Sequence, residues 1–166
     1  MPFWRAYYHL VWATHNREPY ITPQMEPRLY SYLVRKASEL GVVVYAINGW
    51  TEHVHLLVAI PPKHSVSEVV KTLKGASSYD MGVQGFAFEW QRGYGALTCG
   101  EKQLFFARAY IDAQKTYHAD HSTNKLLECY TEVDEGPTIP GMQIDHVQAM
   151  VKDDEVDYEV LGASPF

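Results

Sequence analysis

The chain has 166 residues, 46% of them apolar and 13% aromatic, enough for one domain with a sizeable core and an appended segment but not for two full domains. No apolar run approaches the roughly 18–20 residues of a membrane helix, and the N-terminal stretch is strand-like and lacks the small-residue cleavage site of a signal peptide, so secretion and membrane spanning are not expected. The net charge of −6 averages two unlike parts: residues 122–166 carry ten acidic side chains against two basic ones, Lys125 and Lys152, behind a mildly basic body, so charge does not exclude DNA.

Residues 3–14 alternate, with Trp4, Ala6, Tyr8, Leu10 and Trp12 on one face and Arg5, Tyr7, His9 and Val11 on the other. That is the pattern of a half-buried strand. A helix follows from near Pro27 to Leu40, striped by Leu29, Tyr32, Leu33, Ala37 and Leu40 and stopped at Gly41. A start at Thr22 would put Pro27 in the second turn, where its missing N–H is needed. Residues 42–49 are β-branched and apolar, and the short link Thr51-Glu52 leads into a third strand over residues 53–60, ended by Pro61-Pro62. So short a link makes the two strands an antiparallel hairpin. Ser65-Val66-Ser67-Glu68 is a capping box opening a helix through Val69, Val70 and Leu73. Gly93-Tyr94-Gly95 turns into a fourth strand at residues 96–99, and a last helix is expected from about Gln103 to about His121.

The first six elements follow the α+β, ferredoxin-like split βαβ plan: a four-stranded antiparallel sheet with two helices on one face. Beyond Thr123 the pattern weakens. Gly136-Pro137, Pro140-Gly141 and the acidic run at residues 153–159 read as an irregular appendage. The cysteines, Cys99 and Cys129, make neither a disulfide framework nor a C-x-x-C zinc site, which suits a reducing, cytoplasmic location.

Three groups of residues are candidates for chemistry. His53 and His55 point to one face of a strand with β-carbons about 7 Å apart, which suits two ligands of one metal ion. With eight histidines in the chain, about 0.4 such H-x-H pairs arise by chance, so the motif alone is weak. Tyr110 and Gln114 stack on one helical face, where a neutral oxygen for a hard cation and a nucleophile would stand together, unless they are an ordinary surface pair. Trp90, Arg92 and Tyr94, around a glycine turn, have the chemistry to stack on bases and meet phosphates, or to serve the core. Lys71 and Lys74, with Arg35 and Lys36, are suited to phosphates or to a solvated helix face.

Together these pieces resemble the HUH-type single-tyrosine transposases of small insertion sequences. The matching stretches are Tyr8-His9-Leu10-Val11-Trp12, Gly49-Trp50, His53-Val54-His55-Leu56-Leu57, Leu73-Lys74-Gly75 with Ser77-Ser78, Trp90-Gln91, Gly93-Tyr94-Gly95-Ala96, and Tyr110-Ile111 with Gln114 and His118. They occur in the family's order over residues 7–121, and a chance H-x-H pair does not bring the others with it.

The resemblance implies that residues 1–121 form a single-strand DNA transposase domain and residues 122–166 an acidic extension. It implies that His53, His55 and Gln114 hold Mg²⁺ or Mn²⁺, and that Tyr110 attacks the scissile phosphorus to form a 5′-phosphotyrosine and a free 3′-OH. The implied partners are single-stranded DNA hairpins at element ends and a second copy in a homodimer. The tyrosine would serve its own or its partner's histidine pair, with residues 101–103 as a hinge for exchange. Lys71, Lys74, Arg92 and Tyr94 are the expected DNA contacts. Where the family often has two adjacent histidines after the glutamine, this chain has Tyr117 and His118, leaving His118 as a site neighbour or a solvent-facing side chain. The acidic extension would brace a dimer or shield a basic surface, bracing being favoured. Three other readings remain: a domesticated repeat-processing or replication-initiating nuclease of the same type, a non-catalytic single-strand binding module, and a zinc hydrolase lacking an identifiable general base.

Overall fold

The alternating first segment forms β1, Tyr7–Ala13, an inner strand of a four-stranded antiparallel sheet ordered β2-β3-β1-β4, with β2 at Val43–Trp50, β3 at His53–Ala59 and β4 at Gly95–Cys99. The structure is a computed structural model that describes residues 3–130, which fall within a compact unit of Met1–Asp134. The turns expected at Gly136-Pro137 and Pro140-Gly141 and the acidic run at residues 153–159 lie outside the described residues.

Helix α1, Glu26–Glu39, connects β1 to β2, and α2, Val66–Val83, connects β3 to β4. The order is that of the ferredoxin-like split βαβ plan. Pro27 sits within the first turn of α1, where its missing N–H costs nothing, and Gly41 beyond the helix adopts the left-handed φ of +73°. Ser65 caps α2 by accepting from the Glu68 N–H at 3.1 Å. Leu10, Trp12, Val54, Leu56 and Val58 on one sheet face interleave with Leu29, Leu33 and Ala37 of α1 and Val69, Val70 and Leu73 of α2. Trp90 joins this core, 8% exposed, and donates Nε1–H to Ser77 Oγ at 2.9 Å. Its indole is therefore packed inside and takes no part in an exposed stacking surface.

The other sheet face departs from the half-buried expectation: β1 is buried on both faces from His9 to Ala13. The cause is the last helical segment, which lies over that face, where Ile111 packs on Ala46 and Leu57. This segment is not the single helix expected. A 3₁₀ turn at Glu101–Gln103 leads into α3, Leu104–Asp112, and after a break at Ala113 comes α4, Gln114–Ala119. Asn48 Nδ2 donates to the Asp112 carbonyl at the break, 3.0 Å away. Hydrogen bonds from Ala113 N–H to Ala109 (3.1 Å) and from Tyr117 N–H to Ala113 (3.0 Å) carry the helical path across it, so Tyr110 and Gln114 stay on one face.

Gly49 lets β2 approach the start of β3. A β-carbon there would sit 2.1 Å from the His53 carbonyl oxygen, a backbone atom that cannot swing away. Gly49→Ala is expected to lower stability by about 3 kcal/mol, measured by urea unfolding.

Candidate functional site

The site is built on the sheet face beneath α3 and α4. His53 and His55 lie opposite Ala13 and Val11 of β1, and both are fully buried. Each is oriented through Nδ1. Glu52 Oε1 lies 3.1 Å from His53 Nδ1. Burial by itself would raise the Glu52 carboxyl, but the bond from His53 and its charge, with help from Thr51 and Arg17, bring it down to about 2. An ionised carboxylate only accepts, so His53 Nδ1 carries a proton and Nε2 is the ring nitrogen turned inward. His55 Nδ1 is 2.8 Å from Nε2 of the buried His9. Burial first, and then the neighbouring His55, lower His9 to about 3, so it is neutral. Burial likewise lowers His55, with Glu128 opposing.

The two Nε2 atoms face oxygen donors. His53 Nε2 lies 3.4 Å from Gln114 Oε1 and 3.4 Å from Glu128 Oε2, and His55 Nε2 is 3.2 Å from the same Glu128 oxygen. An Nε2–H satisfies such an oxygen by donating to it, whereas an unprotonated Nε2 meets it favourably only with a cation between them. Separations of about 3.0–3.5 Å are those between neighbouring ligands around an ion with bonds of about 2.1 Å. Two imidazoles, an amide oxygen and a carboxylate therefore fit a divalent ion. His118 also belongs to this cluster: one donor atom each from His53, His118 and Glu128 lie within 4.8 Å of one another. His118 Nε2 stands farther from Glu128 Oε2, at 3.8 Å, and its ring stacks on Trp50 at 5.3 Å and 13°.

Tyr110 lies over the histidines of its own chain, its ring 6.0 Å from that of His55 and 6.2 Å from that of His9. Its hydroxyl donates to Glu128 Oε1 and accepts from the Asn124 N–H at 3.0 Å. Burial, and then the bond to Glu128, push the phenol up to about 12. Burial would raise Glu128, but His55 and Tyr110 outweigh it and bring the carboxyl to about 2. The ensemble is a phenol and a set of nitrogen and oxygen donors meeting on the two oxygens of one carboxylate.

The structure thus brings together Tyr110, His53, His55, Gln114 and His118. It does not gather the expected DNA contacts around them. Lys71 and Arg92 are exposed, and Tyr94 packs against the core beneath α1 and α2. Lys74 Nζ donates to the carbonyls of Gln91 (2.6 Å) and Gly93 (2.8 Å), fixing the turn before β4. Lys74→Ala is expected to cost about 1.5–3 kcal/mol of stability, whereas Lys71→Ala stays within about 0.5 kcal/mol of the parent; denaturant titration separates the two.

Three side chains of the site were not singled out by sequence reasoning. His9 stood inside a motif without a role, although strand alternation placed it on the face that carries His55. In the sequence Glu52 is part of the short hairpin link and carries no further signal. Glu128 fell in the appended segment, where no periodicity signals a site, yet the compact unit continues past residue 121 to Asp134.

No helix among the described residues is long and apolar enough to cross a membrane. The chain is 29% identical over 115 residues to the ISDra2 transposase TnpA of Deinococcus radiodurans, an overlap of 64% of this chain and 82% of that protein. It is 30% identical over 106 residues to the transposase for insertion sequence element IS200 of Salmonella typhimurium, covering 59% and 70%. Among solved structures, a crystal structure assigned as a transposase of Deinococcus radiodurans R1 is similar, with a TM-score of 0.55 at 28% identity over 69% of this chain and 95% of that one. A REP-associated tyrosine transposase bound to a REP hairpin shares the fold, with a TM-score of 0.56 at 15% identity over 71% and 74%. The family model described as Transposase IS200 like matches residues 2–114, a span that holds the whole sheet, Tyr110 and Gln114. The chain therefore belongs to the IS200-like transposases, enzymes that transfer DNA strands.

Proposed function

We propose that this chain is a divalent-metal-dependent transposase of single-stranded DNA in which Tyr110 is the nucleophile. The observation that carries the reading is the convergence on one carboxylate of the Tyr110 hydroxyl and the Nε2 atoms of His53 and His55. His53 and His55 through Nε2 and Gln114 through Oε1 would hold Mg²⁺ or Mn²⁺. Such an ion supplies charge that polarises a non-bridging oxygen of the scissile phosphate and stabilises the charge developing in transfer.

Glu52 and His9 keep both imidazoles turned with Nε2 inward. Tyr110 forms a bond from its phenolic oxygen to phosphorus as the bond from phosphorus to the 3′ oxygen breaks. The phenolic proton is released, and the departing oxygen takes up a proton to become a 3′-OH. The 5′-phosphotyrosine conserves the energy of the phosphodiester, so attack by another 3′-OH rejoins DNA without a nucleotide cofactor.

The substrate is single-stranded DNA with hairpins at the element ends, and the acting form is a homodimer. Phe105 and Phe106, adjacent and exposed on the helix that carries Tyr110, support association with a second copy. The test uses labelled single strands from both flanks of the gene with Mg²⁺ or Mn²⁺. An SDS-resistant protein–DNA adduct that disappears with EDTA is expected, and tight binding without an adduct in either metal would overturn the enzymatic reading.

A further inference from the structure

We propose that Glu128 is a fourth protein ligand of the divalent ion, binding through Oε2 while Oε1 holds the Tyr110 hydroxyl beside it, so that the segment after α4 completes the active site. This rests on the metal site proposed above. Glu128 Oε2 lies 3.2 Å from His55 Nε2 and 3.4 Å from His53 Nε2, the spacing of neighbouring ligands on one ion. Gln114 Oε1 stands at the same 3.4 Å from His53 Nε2, so both oxygens lie at ligand spacing from that nitrogen.

The segment that delivers Glu128 is fixed by contacts of its own. Asn124 N–H donates to the Tyr110 hydroxyl at 3.0 Å. The Cys129 carbonyl lies so close to β4 that a β-carbon on Gly95 would come within 2.0 Å of it. Asn124 Oδ1 accepts from the Leu126 N–H at 3.0 Å, tightening the turn between them. Glu128 is thus anchored on both sides, at the tyrosine and at β4. A carboxylate also suits the ion chemically, because Mg²⁺ and Mn²⁺ favour oxygen donors, and the two histidines and the amide are neutral.

The experiment measures Mn²⁺ affinity by electron paramagnetic resonance on the full chain without DNA. Glu128→Gln keeps the side-chain shape and removes the charge. Asp112→Asn removes the same charge from the exposed side of α3 and serves as the charge control, and His55→Ala reports on the site itself. Circular dichroism checks that each variant is folded. The expected result is a loss of tenfold or more in Glu128→Gln and in His55→Ala, with Asp112→Asn within twofold of the parent. Parental affinity in Glu128→Gln with loss in His55→Ala would overturn the ligand role and leave the metal site standing. Tighter binding in Glu128→Gln would also overturn it, showing a carboxylate that competes with the ion. Unchanged affinity in both Glu128→Gln and His55→Ala would overturn the metal site, and the ligand role with it.

Discussion

Tyr110→Phe is expected to bind single-stranded flank DNA within twofold of the parent and to form no covalent adduct, a fall of at least about 10³-fold to the detection limit of the gel. The substitution removes one oxygen and leaves the ring against His55 and His9. The fold loses the hydroxyl's bonds, chiefly those to Glu128 and Asn124, a cost of about 1–2 kcal/mol, so the variant remains folded and the chemical loss is interpretable. At neutral pH the parent hydroxyl is protonated, because burial and the bond to Glu128 hold it up to about 12. Its proton must therefore leave as the bond to phosphorus forms. One neighbour has the same chemistry: Tyr117, whose ring stacks on Tyr110 at 5.0 Å and 25°. Tyr117→Phe is the matched control and keeps the adduct. An adduct that survived in Tyr110→Phe and vanished in Tyr117→Phe would move the nucleophile one helix on.

What was legible in the sequence is what periodicity and local chemistry encode. Strand alternation placed His53 and His55 on one face, the short Thr51-Glu52 link made the β2–β3 hairpin, and Ser65 marked the start of α2; all three are realised. Helical spacing placed Tyr110 over Gln114, and that relation survives the break at Ala113 because hydrogen bonding continues across it. The break itself had no local signal, since Asn48, distant in sequence, takes the Asp112 carbonyl. Burial of the second sheet face was equally invisible: a strand that reads as half-buried becomes fully buried once α3 and α4 fold over it. The charge of Lys74 suggests phosphate contacts, while composition cannot reveal that its Nζ donates to the Gln91 and Gly93 carbonyls. The wiring around the histidines was hidden for a related reason. His9 meets His55 across two strands and Glu128 arrives from an aperiodic segment, so neither contact follows from spacing.

That wiring makes the second large effect a graded one. His55→Ala is expected to weaken Mn²⁺ binding by more than about 100-fold and to abolish strand cleavage as completely as EDTA. It also leaves a cavity at a fully buried position and strips His9 of its hydrogen-bond partner, which costs about 2–4 kcal/mol, so cleavage is compared well below the melting temperature. His9→Phe isolates the positioning effect. It keeps an aromatic ring in a site that is 1% exposed but removes the Nε2 that meets His55 Nδ1 at 2.8 Å. If the neutral His9 accepts there, it fixes the His55 tautomer with the Nε2 lone pair inward, and without it the ring is free to take the other tautomer. His9→Phe is accordingly expected to lose about 10–100-fold in Mn²⁺ affinity, less than His55→Ala, while His9→Gln, which restores a side-chain acceptor, recovers part of the loss. The amide differs from phenylalanine in polarity and from histidine in shape, so recovery with Gln identifies the hydrogen bond as the working element. Equal affinity in His9→Phe and the parent would mean that packing alone orients His55.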